Sequence, residues 1–114
     1  MKLGLDFNGT ITHWLPQLDQ LANAVIGAGG EVYIISACLA KNRYKTQQRI
    51  EDSGIPTTGI EIVVYEKYED ISNLKLPILQ RLGIDLYIDD NESVVHWAIL
   101  NGVCALLIQG DSRY

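Results

Sequence analysis

The segment Asp6-Phe7-Asn8-Gly9-Thr10 follows a short apolar run, Lys2-Leu3-Gly4-Leu5. That order sets an aspartate at the tip of a buried strand. A carboxylate exposed by such a turn can attack phosphorus while the backbone groups of the turn hold a metal or a phosphate. Asparagine occupies the third position, where proton-transfer chemistry calls for aspartate. Further along, Ser36 ends a second apolar run, Lys75 starts a helical stretch, and Asp89-Asp90-Asn91 ends another apolar run. Hydroxyl, ammonium and backbone N–H groups suit phosphoryl oxygens. Hard carboxylate oxygens suit Mg²⁺, which keeps several waters and accepts substrate phosphate. Asp6, Asn8, Thr10, Ser36, Lys75, Asp89 and Asp90 on one rim would form a phosphate-and-magnesium set. The plainer role of Asp89-Asp90 is to cap the helix that follows.

One rim requires a particular scaffold. Residues 2–7 read as a first strand. Residues 17–28 carry Leu18, Leu21, Ala22, Val25 and Ile26 at helical spacing. Residues 31–36 and 60–65 read as strands, with a polar helix over 41–53 between them. A loop over 66–72 leads to a helix over 74–82, with Pro77 in its first turn, where proline is tolerated. Residues 84–88 read as a fourth strand, 92–101 as a helix and 103–108 as a fifth strand. The tail from Gln109 to Tyr114 carries no clear signal. Apolar strands alternating with helices predict a three-layer, Rossmann-like α/β domain. Its five-stranded parallel sheet would gather ligands beyond the carboxyl ends of the strands. There is no room for a cap domain, so a large phosphorylated substrate, or a lid lent by a second subunit of a homo-oligomer, would suit the open site.

The 114 residues suit one domain spanning 1–114. A net charge of −5 argues against non-specific nucleic-acid binding, which needs a basic face. Lys41, Arg43, Lys45 and Arg49 cluster, and read as a solvated helix face. No apolar run reaches the roughly eighteen residues that span a bilayer, and no signal peptide is visible. Cys38 and Cys104 read as free buried thiols in a reducing cytoplasm. The expected compartment is therefore cytoplasmic. His13 and Trp14 read as part of a short flap after the first motif. Tyr65, Tyr68 and Tyr87 read as structural.

Taken in order, Asp6-Phe7-Asn8-Gly9-Thr10-Ile11-Thr12, Ser36, Lys75 and Ile88-Asp89-Asp90-Asn91-Glu92 resemble the haloacid dehalogenase-like superfamily over the whole chain. The resemblance implies a Mg²⁺-dependent phosphatase. Asp6 would be the nucleophile, forming an aspartyl-phosphate. Asn8 would stand in the general acid/base position and offer its backbone carbonyl to Mg²⁺. Gly9, Thr10, Ser36 and Ala37 would contact the phosphoryl oxygens. Lys75, with Lys67 as runner-up, would neutralise the phosphate and Asp6. Asp89 and Asp90 would hold Mg²⁺, directly or through water.

Asn8 departs from that pattern. An amide neither protonates a leaving group nor activates water, and general acid–base catalysis supplies about 10²–10⁴-fold. Three readings stay open: a slow or selective enzyme, an introduced Asp→Asn substitution, or a domain that only binds phosphate or a partner. A phospho-receiver signalling domain shares the length and the residue types. Its acceptor aspartate would follow strand three and its lysine strand five, yet those strands end Val64-Tyr65-Glu66 and Leu107-Ile108-Gln109.

Overall fold

The computed structural model describes residues 1–110; the last four positions of the unassigned tail lie outside them. Five strands alternate with four helices: β1 Lys2–Leu5, α1 Leu15–Gly27, β2 Glu31–Cys38, α2 Arg43–Asp52, β3 Gly59–Val64, α3 Ile71–Leu82, β4 Leu86–Asp89, α4 Glu92–Leu100 and β5 Ala105–Leu107. All strand pairs are parallel, in the order β3-β2-β1-β4-β5. The predicted Rossmann-like, three-layer α/β architecture is therefore observed.

Each layer follows from the alternation of side chains along the strands. Leu3, Leu5 and Phe7 pack with Val32 and Ile34 against Leu18 and Ala22 of α1 and Ile50 of α2. Ile35 and Tyr87 face the other way, against Ile71 and Leu79 of α3 and Val94, Val95 and Ala98 of α4. Burying such side chains contributes about 1.5–3 kcal/mol each, and this anchors the sheet that carries the rim.

Several boundaries differ from those the sequence predicts, and two of them bear on the site. Strand β2 runs on through Ala37 and Cys38, paired with Val63 and Val64, so Ser36 lies inside the strand. Helix α3 begins at Ile71, after a tight turn over Tyr68–Asp70, so Lys75 sits in its second turn and Pro77 in its interior. Strand β1 ends at Leu5, one residue before Asp6. Cys38 is buried as expected, but Cys104 is exposed, and both thiols are free.

Candidate active site

Register decides which side chains meet. Leu5 pairs with Ile88 in the parallel ladder, so Asp6 and Asp89 are the next residues of neighbouring strands. The Asp6 N–H still donates to the Ile88 carbonyl at 3.0 Å, which fixes its position as the strand ends. One step back, Gly4 pairs with Tyr87. A Cβ on Gly4 would lie 2.9 Å from Tyr87 Cδ1, so only glycine leaves the tyrosine ring its place on this face.

Lys75 rises from α3 onto the same face, and its side chain is 2% exposed. Its ammonium donates to Asp6 Oδ1 at 2.8 Å, to Asp89 Oδ2 at 3.0 Å and to the Tyr87 hydroxyl at 2.8 Å. These bonds use all three of its protons. The Tyr87 hydroxyl donates in turn to Asp89 Oδ2 at 2.6 Å. The other Asp89 oxygen accepts the Asn91 N–H at 2.9 Å. Asn91 then caps α4, its side-chain oxygen accepting the Val94 N–H at 3.2 Å.

The turn after β1 holds the rest. The Thr12 N–H donates to the Phe7 carbonyl, closing a wide loop in which Gly9 adopts φ +81°. That left-handed conformation favours glycine. The loop brings the Thr10 hydroxyl to 3.1 Å from Asp6 Oδ2 and 3.3 Å from Asp90 Oδ1. The same hydroxyl accepts the Asp90 N–H at 3.1 Å. Thr10 thus ties the first motif to the Asp89-Asp90 pair.

Carboxylate oxygens of Asp6, Asp89 and Asp90 lie within 4.8 Å of one another. Three carboxylates converge and one ammonium answers them, so a divalent cation fits the charge and the hard-oxygen chemistry. The electrostatics agree. Burial, together with the nearby Asp89 charge, raises the Asp6 pKa well above the usual carboxylate value despite Lys75. Burial works against the Asp89 anion too, but Lys75, the Tyr87 hydroxyl and the Asn91 N–H together hold its pKa below the usual value. Burial lowers the Lys75 pKa, and the two carboxylates more than reverse this, so it stays charged.

A cavity of about 240 Å³ opens over this cluster, with Asp6, Asn8, Gly9, Ala37, Lys75, Asp89 and Asp90 in its wall. Those sequence-predicted residues come together. Ser36 does not join them. Alternation along β2 turns it to the Ile34 side, away from Ala37, and its hydroxyl is buried with no hydrogen-bond partner among the described residues. Ser36 therefore stands outside the cavity wall, where alternation along β2 puts Ala37 instead. Lys67 is exposed and off the cavity wall, and the buried Lys75 takes the position beside Asp6. Trp14 stands off the cavity too. Its indole N–H donates to the Gln109 carbonyl at 2.8 Å, which ties the flap to the segment after β5.

Tyr87 is the residue that sequence reasoning missed. Its signal was available: it sits two positions before Asp89 on one strand, hence on the same face. Tyr68, which the sequence alone marks as structural, lines the cavity and accepts a hydrogen bond from the Asn91 amide at 3.2 Å.

No family model and no curated protein sequence matches the chain. Solved structures match in fold. A chain in the structure of a Pnkp1/Rnl/Hen1 complex aligns over 96% of this chain at 15% identity, with a TM-score of 0.73. A chain of the Pnkp1/Rnl/Hen1 RNA repair complex aligns with the same three values. This chain spans about half of those neighbours, 47% and 43% of their lengths. A universal stress protein in complex with cAMP aligns over 97% of this chain and 98% of its own, at 12% identity and a TM-score of 0.62. At such identities the likeness is one of fold.

Proposed function

We propose that the chain is a Mg²⁺-dependent phosphoryl-transfer enzyme of the haloacid dehalogenase-like type, a phosphatase that works through an aspartyl-phosphate on Asp6. The observation that carries this reading is the convergence of Asp6, Asp89 and Asp90 around Lys75 in one cavity at the strand ends. Asp6, Asp89, Asp90 and the Asn8 carbonyl would hold Mg²⁺, which would screen the carboxylates and draw charge from the phosphoryl oxygens.

The side chains then divide the work. An Asp6 oxygen attacks phosphorus, the bond from phosphorus to the leaving oxygen breaks, and the leaving group departs with the electron pair. Lys75 and Thr10 orient the Asp6 carboxylate by holding one oxygen each. The Lys75 ammonium would balance the charge of the phosphoryl group, and the turn that carries Gly9 and Thr10 would border it. Tyr87 and Asn91 keep Asp89 ionised and fixed. Water then attacks the phosphorus, releasing inorganic phosphate and regenerating the Asp6 carboxylate. Asn8 offers no proton to the leaving group and takes none from water, so acidic leaving groups are favoured. The open cavity suits a phosphorylated substrate that brings its own bulk, or a lid lent by a second copy.

Asn8 is also what favours a second reading, a domain that binds phosphate or a partner without turnover. A receiver role fits less well, since flavodoxin-like folds of that kind order their strands 2-1-3-4-5. The test is release of p-nitrophenol from p-nitrophenyl phosphate, with Mg²⁺ and with chelator. Metal-dependent release supports the phosphatase. No release by the wild type or by Asn8→Asp, with Mg²⁺ still bound, overturns it.

A further inference from the structure

A second cavity, of about 180 Å³, adjoins the first and shares Asn8, Ala37 and Tyr65 with it. Its outer wall is one stripe of α2 and the turn before it: Asn42, Lys45, Thr46 and Arg49, at i, i+3, i+4 and i+7. The first cavity is walled by carboxylates, and this one carries two cations and no carboxylate. Among the described residues neither Lys45 nor Arg49 joins an ion pair, and both are exposed. Arg49 is steadied by the Phe7 ring, its guanidinium carbon 5.7 Å from the ring centre. The surrounding segment, Lys41 to Arg49, carries four basic and no acidic residues in a chain of net charge −5. A solvated helix face would explain the charge, but not its meeting a cavity that shares three wall residues with the Asp6 site.

We infer that Lys45 and Arg49 form a subsite for a second phosphate, so that the preferred substrate is a phosphomonoester carrying another phosphate group, such as a nucleoside or sugar bisphosphate. This rests on the phosphoryl-transfer reading of the Asp6 site. The scissile phosphate takes the Lys75 side, the second phosphate takes the Lys45–Arg49 side, and the linking moiety lies against Tyr65. Arginine and lysine supply charge-assisted hydrogen bonds to phosphate, and a bond to a charged group changes affinity by roughly tenfold or more.

Binding is measured by calorimetry with Mg²⁺ in an Asp6→Asn background, where no aspartyl-phosphate forms. Two probe pairs are compared: adenosine 3′,5′-bisphosphate against adenosine 5′-monophosphate, and fructose 1,6-bisphosphate against fructose 6-phosphate. At least one bisphosphate is expected to bind tenfold or more tightly than its monophosphate. Adding Lys45→Gln with Arg49→Gln should abolish that gain. Adding Lys41→Gln with Arg43→Gln, the same charge change off the cavity wall, should keep it. No gain with either pair overturns the inference, as does a gain that survives loss of Lys45 and Arg49, or one lost equally in the control. The phosphatase reading fails separately, by absence of p-nitrophenol release from both the wild type and Asn8→Asp with Mg²⁺ bound.

Discussion

Asn8 and Lys75 pull the site in opposite directions. Asn8 lacks the proton that turnover needs, so Asn8→Asp should raise the rate of p-nitrophenyl phosphate hydrolysis by about 10²–10⁴-fold, read by steady-state kinetics. Lys75 is the only cation that touches the buried carboxylates among the described residues. Lys75→Met would leave Asp6 and Asp89 uncompensated, and should cost about 3–5 kcal/mol in urea unfolding as well as activity. Asp6 adds a pH dependence to the metal-free protein. Its raised pKa means that the folded state holds the proton more tightly than the unfolded one. Stability should therefore fall as pH rises from the ordinary carboxylate range through that raised value. Asp89 works the other way: its stabilisation is present above the ordinary carboxylate pKa and is lost as pH drops through its lowered one. In chelator, Asp6→Asn should unfold at higher urea than wild type at pH 8, with a smaller difference at pH 5. An equal difference at both values would contradict the assignment.

Among the elements, the strand tips do the positioning. Gly4 leaves room for the Tyr87 ring, and Tyr87 in turn holds Lys75 and Asp89. Gly4→Ala should displace that ring, destabilise the fold by about 1–3 kcal/mol and weaken Mg²⁺ binding, as read by urea unfolding and calorimetry. The chain's alternation of apolar runs and helical stretches makes the five strands, the four helices and their order of succession readable from sequence. The motif residues at strand ends were readable for the same reason, since Asp6 and Asp89 each terminate an apolar run. What could not be read was register and extent. Ser36 reads as terminal because it is the polar residue that follows Val32–Ile35, yet Ala37 and Cys38 carry the ladder on beside Val63 and Val64. The start of α3 is set by the turn over Tyr68–Asp70, which reads as a charged loop. Tyr87 looks like core in an apolar run, although its place two residues before Asp89 puts it on the face that carries the carboxylate.

At the scale of the whole molecule, a parallel sheet covered by helices on both faces leaves its carboxyl edge as the place where polar groups can gather. The acidic pocket and the basic stripe of α2 share that edge. Mg²⁺ bound only by the folded state should stabilise it, by about 2.7 kcal/mol at a hundred times its dissociation constant. Thermal unfolding with and without Mg²⁺ reads this, and Asp90→Ala should reduce the shift. The central claim is that Asp6 takes the phosphoryl group, and its most direct test is chemical. Wild-type protein is incubated with Mg²⁺ and an aryl phosphate, quenched in acid, and mapped by mass spectrometry. The account predicts an acid-stable, hydroxylamine-labile phosphate on Asp6, favoured by the slow second step that Asn8 imposes. Protein that binds Mg²⁺ yet shows neither this adduct nor any turnover would contradict it.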